Sequence, residues 1–418
     1  MKRYDLIVAG GGLTGVAAVV SAAREGLQVL LIEQSGCLGG AMSVNLVYPF
    51  MRYWTQDPKT GQRKYLSAGI FLEMCRRQER YILGSNEMRF HPESFKVVLD
   101  DMVREAGVDM LFHATLCGAK VEGRSVRSIL LATGAGLMEA EADRFVDATG
   151  NGDLMAFAGC EFQLGREKDG LCQPMTTIFR MSNVDLALFK EDRPRLQELY
   201  KHRREAGQIQ NPREDILVFT GLGEGIVHFN STRVVKLDPT DPFDLSKAEM
   251  EARRQVFELV AFLKENSAAF EKAALVSSAV SIGVRESRKL KGRHILTARE
   301  LMDCTRFHDA IALGNYDIDI HNPEGAGTSH YYFADGDYYT IPYRSLLPLE
   351  LDNLLVAGRC ISATHEAQAS IRIMPICATL GEAAGIAAAV AKATGTNLQE
   401  VPVERVQAKL REKGAAID

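Results

Sequence analysis

The chain has 418 residues, 46% hydrophobic and 25% charged, with a formal net charge of -5, which is ordinary globular material long enough for two structural domains or one large interrupted one. The mild acidity, and the lack of a dense Lys/Arg run interleaved with aromatics, exclude nucleic acid as an expected partner. No uninterrupted apolar run approaches the roughly 20 residues that cross a bilayer, and no secretory signal precedes the first strand, so a cytoplasmic protein without a membrane span is expected.

In chain order, residues 5–9 (Asp-Leu-Ile-Val-Ala) form a short apolar run typical of a strand buried on both faces of a parallel sheet. The turn Gly10-Gly11-Gly12-Leu13-Thr14-Gly15 follows, then an Ala-rich helical stretch through Arg24. Gly10 permits the tight turn, Gly12 lets backbone approach a pyrophosphate, and Gly15 lets helix pack on strand. The helix N-terminus offers free N–H groups and a positive dipole end to phosphates. A second strand, residues 28–32, ends at Glu33, where a carboxylate can accept hydrogen bonds from ribose hydroxyls and would repel the 2′-phosphate of NADP. At this point FAD and NAD both remain open. Gly36-Cys37-Leu38-Gly39-Gly40 then supplies a second flexible loop, where the backbone can pass close to an extended cofactor.

His91-Pro92-Glu93-Ser94 predicts a helix start leading to about residue 106, with a strand over 108–115 after it. Gly134-Ala135-Gly136 lies between two predicted strands and reads as a turn. Residues 144–150 (Arg-Phe-Val-Asp-Ala-Thr-Gly) read as a strand running into a glycine turn, before Asn151-Gly152-Asp153. Thr220-Gly221-Leu222-Gly223-Glu224-Gly225 lacks the dinucleotide spacing and lies between two strand-like runs, so a hairpin is expected and a second Rossmann unit is not. Residues 246–272 carry Met250, Val256, Leu259, Val260 and Leu263 at helical spacing, which predicts a solvent-faced amphipathic helix. Near the C-terminus, residues 353–359 (Asn-Leu-Leu-Val-Ala-Gly-Arg) read as a buried strand closed by glycine. A helix from about Pro375 to Ala391 follows, whose small face (Ala378, Gly381, Ala384, Gly385) allows close packing. The eight cysteines, Cys37, Cys75, Cys117, Cys160, Cys172, Cys304, Cys360 and Cys377, form no C-x-x-C pair. They predict neither a metal centre nor a redox dithiol, and most of them read as small buried hydrophobes.

The ordered set of the N-terminal turn with Glu33, Leu38-Gly39-Gly40, Asp147-Ala148-Thr149-Gly150, Ala357-Gly358-Arg359 and residues 381–385 (Gly-Glu-Ala-Ala-Gly) resembles the glutathione-reductase-like flavoproteins. Within them the chain is similar to a bacterial family of FAD-dependent oxidoreductases. Residues 283–288 (Gly-Val-Arg-Glu-Ser-Arg), Asp319-Ile320-His321, Ile341-Pro342-Tyr343-Arg344 and residues 358–366 carry that likeness over nearly the whole chain. The resemblance implies an α/β fold, with a discontinuous Rossmann-type FAD domain from residues 1–45, 90–155 and 345–395. It also implies an interleaved α+β substrate or cap region at 46–89 and 156–344 and a C-terminal extension at 396–418. It implies FAD as cofactor, held by Gly10, Gly12, Leu13, Thr14, Gly15, Glu33, Gln34, Gly39, Gly40, Ala148, Thr149, Gly150, Asp153, Gly358, Arg359 and Met374, with the backbone at Leu116 against adenine. The helix opening at Met374-Pro375 would aim its N-terminus at the pyrimidine side of the flavin and raise its potential.

Flavin oxidoreductases commonly use a proton-transferring group and a cation that holds an anionic substrate. Arg285 and Arg288 would share a face if their segment is helical, and Arg344 and Arg372 flank segments expected near the flavin. His321 and His365 are the acid/base candidates because imidazole titrates near neutrality; for any single Arg or His, a structural ion pair or a satisfied core position is the commoner fate. Tyr343 is a weaker candidate; residues 330–333 and residues 337–339 could line a planar-substrate pocket or pack as core, and on the same reasoning Tyr48-Pro49-Phe50, soon after Gly40, could sit beside the isoalloxazine. The expected activity is hydride transfer between a small organic molecule, perhaps a carboxylate, and flavin N5. An NAD-dependent dehydrogenase and a protein with structural FAD are the alternatives. The expected partner is a small-molecule substrate, and the sequence carries no signal for oligomeric state.

Overall fold

The computed structural model describes residues 3–79 and 88–418; residues 80–87 of the expected cap segment 46–89, and the first two residues, lie outside the described residues. The apolar run at the N-terminus becomes strand Tyr4–Ala9, buried from Leu6 onward. It lies between two parallel partners, with Ala9 opposite Ile32 of strand Val29–Ile32 and opposite Asp147 of strand Gly136–Asp147. Asp109–Leu111 extends the parallel sheet beyond Val29–Ile32, and Leu354–Val356 pairs in parallel with residues 145–147. The first half of the long strand Gly136–Asp147 instead pairs antiparallel with Ser125–Thr133, which pairs with Thr115–Glu122. The result is a mixed α/β fold with a parallel-strand sheet of the Rossmann type, and the carboxyl ends of its parallel strands open on one edge.

Two local expectations shift. The strand expected over 108–115 is broken, because His113 takes a left-handed φ of 54°, so Asp109–Leu111 and Thr115–Glu122 are separate strands. The amphipathic helix expected over 246–272 spans Pro242–Asn266: Asp241 caps it by accepting from the amides of Phe243 and Asp244, and its Met250 is exposed. The hairpin at Thr220 forms as expected, with Val218 opposite Phe229 and Thr220 opposite Val227. These strands belong to an antiparallel sheet completed by Phe179–Ser182 and Ala274–Ser278. One face of that sheet buries Phe179 and Phe229, stacked 4.6 Å apart, against the helices Leu186–Glu205 and Pro242–Asn266.

The core helix spans Met374–Thr394 and is buried from Pro375 to Ala391. Among the described residues it is the one helix long and apolar enough to cross a membrane, but 89% of its most apolar window is buried inside the protein. Its small face packs on the first helix, Leu13–Arg24, nearly backbone to backbone: a Cβ on Gly381 would lie 2.0 Å from the Thr14 carbonyl oxygen, and one on Gly385 2.2 Å from that of Ala18. Neither carbonyl can move without bending a helix. Gly385→Ala is therefore expected to cost about 1–3 kcal/mol, read as a lowered denaturation midpoint.

Glu382, on the same helix, is 3% exposed, and among the described residues its carboxyl takes a hydrogen bond from the Ile70 amide alone, at 3.2 and 3.3 Å. Burial pushes this carboxyl up to about 8, outweighing the Ile70 N–H that favours the anion. Folded, the group keeps its proton to about pH 8; unfolded, it loses it near 4.5. The unfolded state binds fewer protons between those values, so this contribution to stability falls as pH rises through that window. Glu382→Gln should therefore gain stability over the parent chain as pH rises from 5 to 8 in thermal melts; a difference independent of pH would contradict this account.

Candidate functional site

A cleft of about 510 Å³ lies outside the carboxyl ends of the parallel strands. Gly10 turns the chain there with φ 101°, and a Cβ on it would lie 2.4 Å from the Ala148 carbonyl oxygen, so only glycine fits. Gly12 faces open space, with no atom within 4 Å of where its Cβ would be. Gly15 stands behind the turn, where a Cβ would lie 1.8 Å from the Gly10 oxygen, and does not line the cleft. Gly12 is also the extended N-cap of helix Leu13–Arg24. It offers no side-chain cap and the first turn holds no acid, so the amides of Leu13 and Thr14 at the cleft wall are left for a ligand.

The second glycine loop is laced to the first: the Gly39 amide donates to the Gly11 carbonyl at 2.9 Å, and Gly40 lies over Gly12. Glu33, 7% exposed, accepts from the Gly11 amide through one oxygen and from the Ser35 amide through the other, both at 2.7 Å. Each oxygen keeps a further lone pair for a hydroxyl donor. Gln34 and Leu116 lie on the wall beside it.

Asp147 is fully buried and acts beneath the third turn. It accepts from the Thr149 amide at 3.0 Å, the Thr149 hydroxyl at 2.7 Å and the Met155 amide at 2.8 Å, while burial pushes its carboxyl up to about 6. These bonds present Ala148, Thr149, Gly150 and Asp153 to the cleft. Gly358, with φ 91°, closes strand Leu354–Val356 against Thr14, where a Cβ would lie 2.9 Å from the hydroxyl oxygen. Arg359 then reaches back to donate to Asn151 Oδ1 at 2.6 Å. Its Nε is buried without a partner, and among the described residues no carboxylate lies within ion-pair distance of it. Met374 and Cys377 bring the uncapped N-terminal turn of the core helix to the same wall.

Of the six expected catalytic residues, Arg372 lines the cleft. Its Nη2 lies 3.3 Å from Asp319 Oδ2, and its Nε is buried without a partner. The expectation that Arg285 and Arg288 share a helical face is corrected: residue 285 lies in irregular backbone, whereas Arg288 opens strand Arg288–Leu290, paired with Phe162–Leu164. Arg288 is held by Asp153 at 2.9 Å. Arg344 lies away from the cleft in a two-pronged contact with Asp309 at 2.9 and 3.2 Å. His365 is 3% exposed, with Nδ1 2.7 Å from Glu286, a carboxylate that also takes the buried Lys289 ammonium and the Gln173 amide. His321 lies 3.1 Å from Arg233 Nη2 through Nδ1 and 3.4 Å from Asp319 through Nε2. Burial and the Arg285 charge push its pKa down to about 3, so it is neutral near pH 7 rather than titrating there. His365 is satisfied by Glu286, 79 residues earlier, and His321 by Arg233, 88 residues earlier, together with its near neighbour Asp319.

The aromatic segments divide similarly. Phe50 packs with Phe71, Phe90 and Phe95, Tyr339 is fully buried, Tyr343 donates to the Leu398 carbonyl at 2.9 Å, and Tyr332 is exposed. Wall residues that the sequence did not single out include Asn45, whose amide spans the Ser281 and Ile282 carbonyls at 3.0 and 3.2 Å, together with Val284. Only long-range contacts bring these to the cleft.

The family profile described as FAD dependent oxidoreductase matches residues 5–410. Among curated proteins none matches the chain. Similar solved structures include a geranylgeranyl bacteriochlorophyll reductase-like protein from Thermoplasma acidophilum (14% identity, TM-score 0.50, covering 99% of this chain and 84% of that one). A flavin-dependent brominase (12%, TM-score 0.48, 97% and 83%) and L-proline dehydrogenase from P. horikoshii (12%, TM-score 0.46, 99% and 99%) also match. The first likeness is one of fold. The extent of the family match decides the cofactor between FAD and NAD: the chain belongs to the FAD-dependent oxidoreductases, enzymes that use FAD.

Proposed function

We propose that the cleft holds one extended FAD and that the protein moves hydride between a small carboxylate-bearing substrate and flavin N5. The observation that carries this reading is convergence: glycine turns at Gly10, Gly39, Gly150 and Gly358, and the uncapped N-termini of two helices, meet at one cleft. The donor set fits a diphosphate, since the free amides at Leu13 and Thr14 offer hydrogen bonds and Arg359, with no carboxylate in ion-pair distance among the described residues, offers positive charge. Glu33 would take the ribose hydroxyls, Leu116 would lie against adenine, and the opening turn at Met374 would face the pyrimidine edge. In this reading the glutathione-reductase-like, discontinuous cofactor domain comprises residues 1–45, 90–155 and 345–395. Residues 46–89 and 156–344 form the cap, and residues 396–418 the extension. The parallel pairing of Leu354–Val356 with residues 145–147 supports joining those distant segments.

When bound, FAD supplies the two-electron chemistry. The chain's own residues position and neutralise. Arg372 reaches the cleft with an unused Nε donor, which suits a substrate carboxylate. The buried, neutral His321 helps set that guanidinium through their shared partner Asp319, so it orients rather than exchanges protons at pH 7.

A Cβ on Gly12 would enter the cleft with no protein atom within 4 Å. Gly12→Ala should therefore cost apo stability no more than about 1 kcal/mol, the loss of a favourable N-cap residue, while abolishing flavin retention, read by FAD released on heating. Anaerobic mixing of the yellow protein with a panel of amino and hydroxy acids should bleach the flavin with at least one member. Arg372→Ala should weaken that donor's binding about 10- to 100-fold, the range of a lost charge-assisted hydrogen bond, with flavin content unchanged. A flavin that no donor bleaches would favour a structural cofactor.

A further inference from the structure

We infer that the substrate carries two anionic groups, held by Arg180 and Arg285 on the face of the cap sheet turned away from its apolar core. This rests on the cofactor reading above, because it assigns the occupant of the space beside that cleft. In the antiparallel pair of Phe179–Ser182 with Val227–Phe229, the side chains of Phe179 and Phe229 enter the apolar core. Alternation then puts Arg180 and His228, which are opposite each other in register, on the other face.

Arg180 Nε lies 3.2 Å from His228 Nδ1. Guanidinium only donates, so Nδ1 accepts and the imidazole proton sits on Nε2. Burial and the Arg180 charge push the His228 pKa down to about 3, which keeps that neutral tautomer at ordinary pH. Among the described residues the Nε2–H has no partner, nor do Arg180 Nη2 and the hydroxyl of Tyr48, whose ring meets His228 edge-on at 5.4 Å. These are three buried donors without an acceptor. Glu93 is the carboxylate that acts on Arg180 from a distance, and it is paired with Lys96 at 2.8 Å.

Asn230 follows His228 by two residues and continues the same face, about 7 Å further along at the usual strand rise. Its side-chain oxygen lies 3.5 Å from Arg285 Nη2. Arg285 otherwise donates to neutral oxygens, the Pro174 carbonyl at 2.6 Å and the Thr176 hydroxyl. The neighbouring Arg372, Arg213 and Arg233 each have a carboxylate, namely Asp319 at 3.3 Å, Asp215 at 2.7 Å and Glu214 at 3.2 Å. Among the described residues Arg285 has none in ion-pair reach, and burial together with those three cations lowers its pKa.

Among the described residues, the half-buried guanidiniums of Arg180, on this sheet face, and Arg285, beside it, thus lack an ion-paired carboxylate, with only Glu93 and Asp319 acting on them from a distance, a costly arrangement unless a ligand supplies closer counter-charge. A monoanion would compensate one; a dianion compensates both. Close chain neighbours of these residues line the cleft wall: Val284 precedes Arg285, and Asn45 lies three residues before Tyr48.

The test titrates FAD-loaded protein with succinate, glutarate and butyrate at constant ionic strength, following the flavin difference spectrum and the thermal midpoint. One dicarboxylate is expected to bind at least tenfold more tightly than butyrate. Arg180→Gln and Arg285→Gln should each bring it to the butyrate level at unchanged flavin content, with Arg180→Lys and Arg285→Lys restoring part of the difference. Flavin-loaded protein that binds butyrate as tightly as either dicarboxylate, or glutamine variants that keep the preference, would overturn the inference. Protein that takes up no FAD would fail the cofactor reading instead; calorimetry of the same three acids on that protein then decides the two-anion inference by the same criterion.

Discussion

The contact on which the rest of the structure depends is the approach of the first helix to the core helix near the C-terminus. Gly381 and Gly385 let the helix Met374–Thr394 rest on the carbonyls of Thr14 and Ala18, closer than any side chain permits. Thr14 is fixed from a second side by Gly358, at the end of strand Leu354–Val356. One residue of the N-terminal turn therefore locates both the strand and the helix contributed by the far end of the chain. The two helix N-termini and the glycine turns reach the same cleft because of this packing.

Around that frame, acidic and basic groups have divided tasks. The buried carboxylates shape the scaffold: Glu33 ties Gly11 to Ser35, Asp147 holds the turn at Thr149, and Glu286 collects Lys289, His365 and the Gln173 amide. Each is held by nearby donors, and none of the three lies within ion-pair distance of Arg359, Arg285 or Arg180. Anion recognition follows from this division, because positive charge and unused N–H groups accumulate where carboxylates are absent. The first of these cations faces the proposed cofactor cleft, and the other two face the proposed substrate.

What was legible in the sequence was local. The strand, turn and helix at residues 4–24, the acid at Glu33, and the glycine ends of strands Gly136–Asp147 and Leu354–Val356 are specified by short apolar runs and by glycines at conformations other residues avoid. What was not legible depended on partners far away. His365 looked available until Glu286, 79 residues earlier, satisfied it. Helical spacing would put Arg285 and Arg288 on one face, but residue 285 lies in irregular backbone and Arg288 opens a strand paired with Phe162–Leu164, so the two meet different partners. Arg180 and His228 gave no sequence signal at all, since only the strand register places them side by side.

The central claim is that one cleft, assembled from segments hundreds of residues apart, receives one FAD. Hydrogen exchange of the apo protein with and without FAD tests it most directly. The account predicts protection gained together at the amides of residues 12–15, 39–41, 149–153 and 374–377, with the cap helix Leu186–Glu205 unchanged. Protection confined to the first of these segments, or appearing instead on the cap helix, would contradict it.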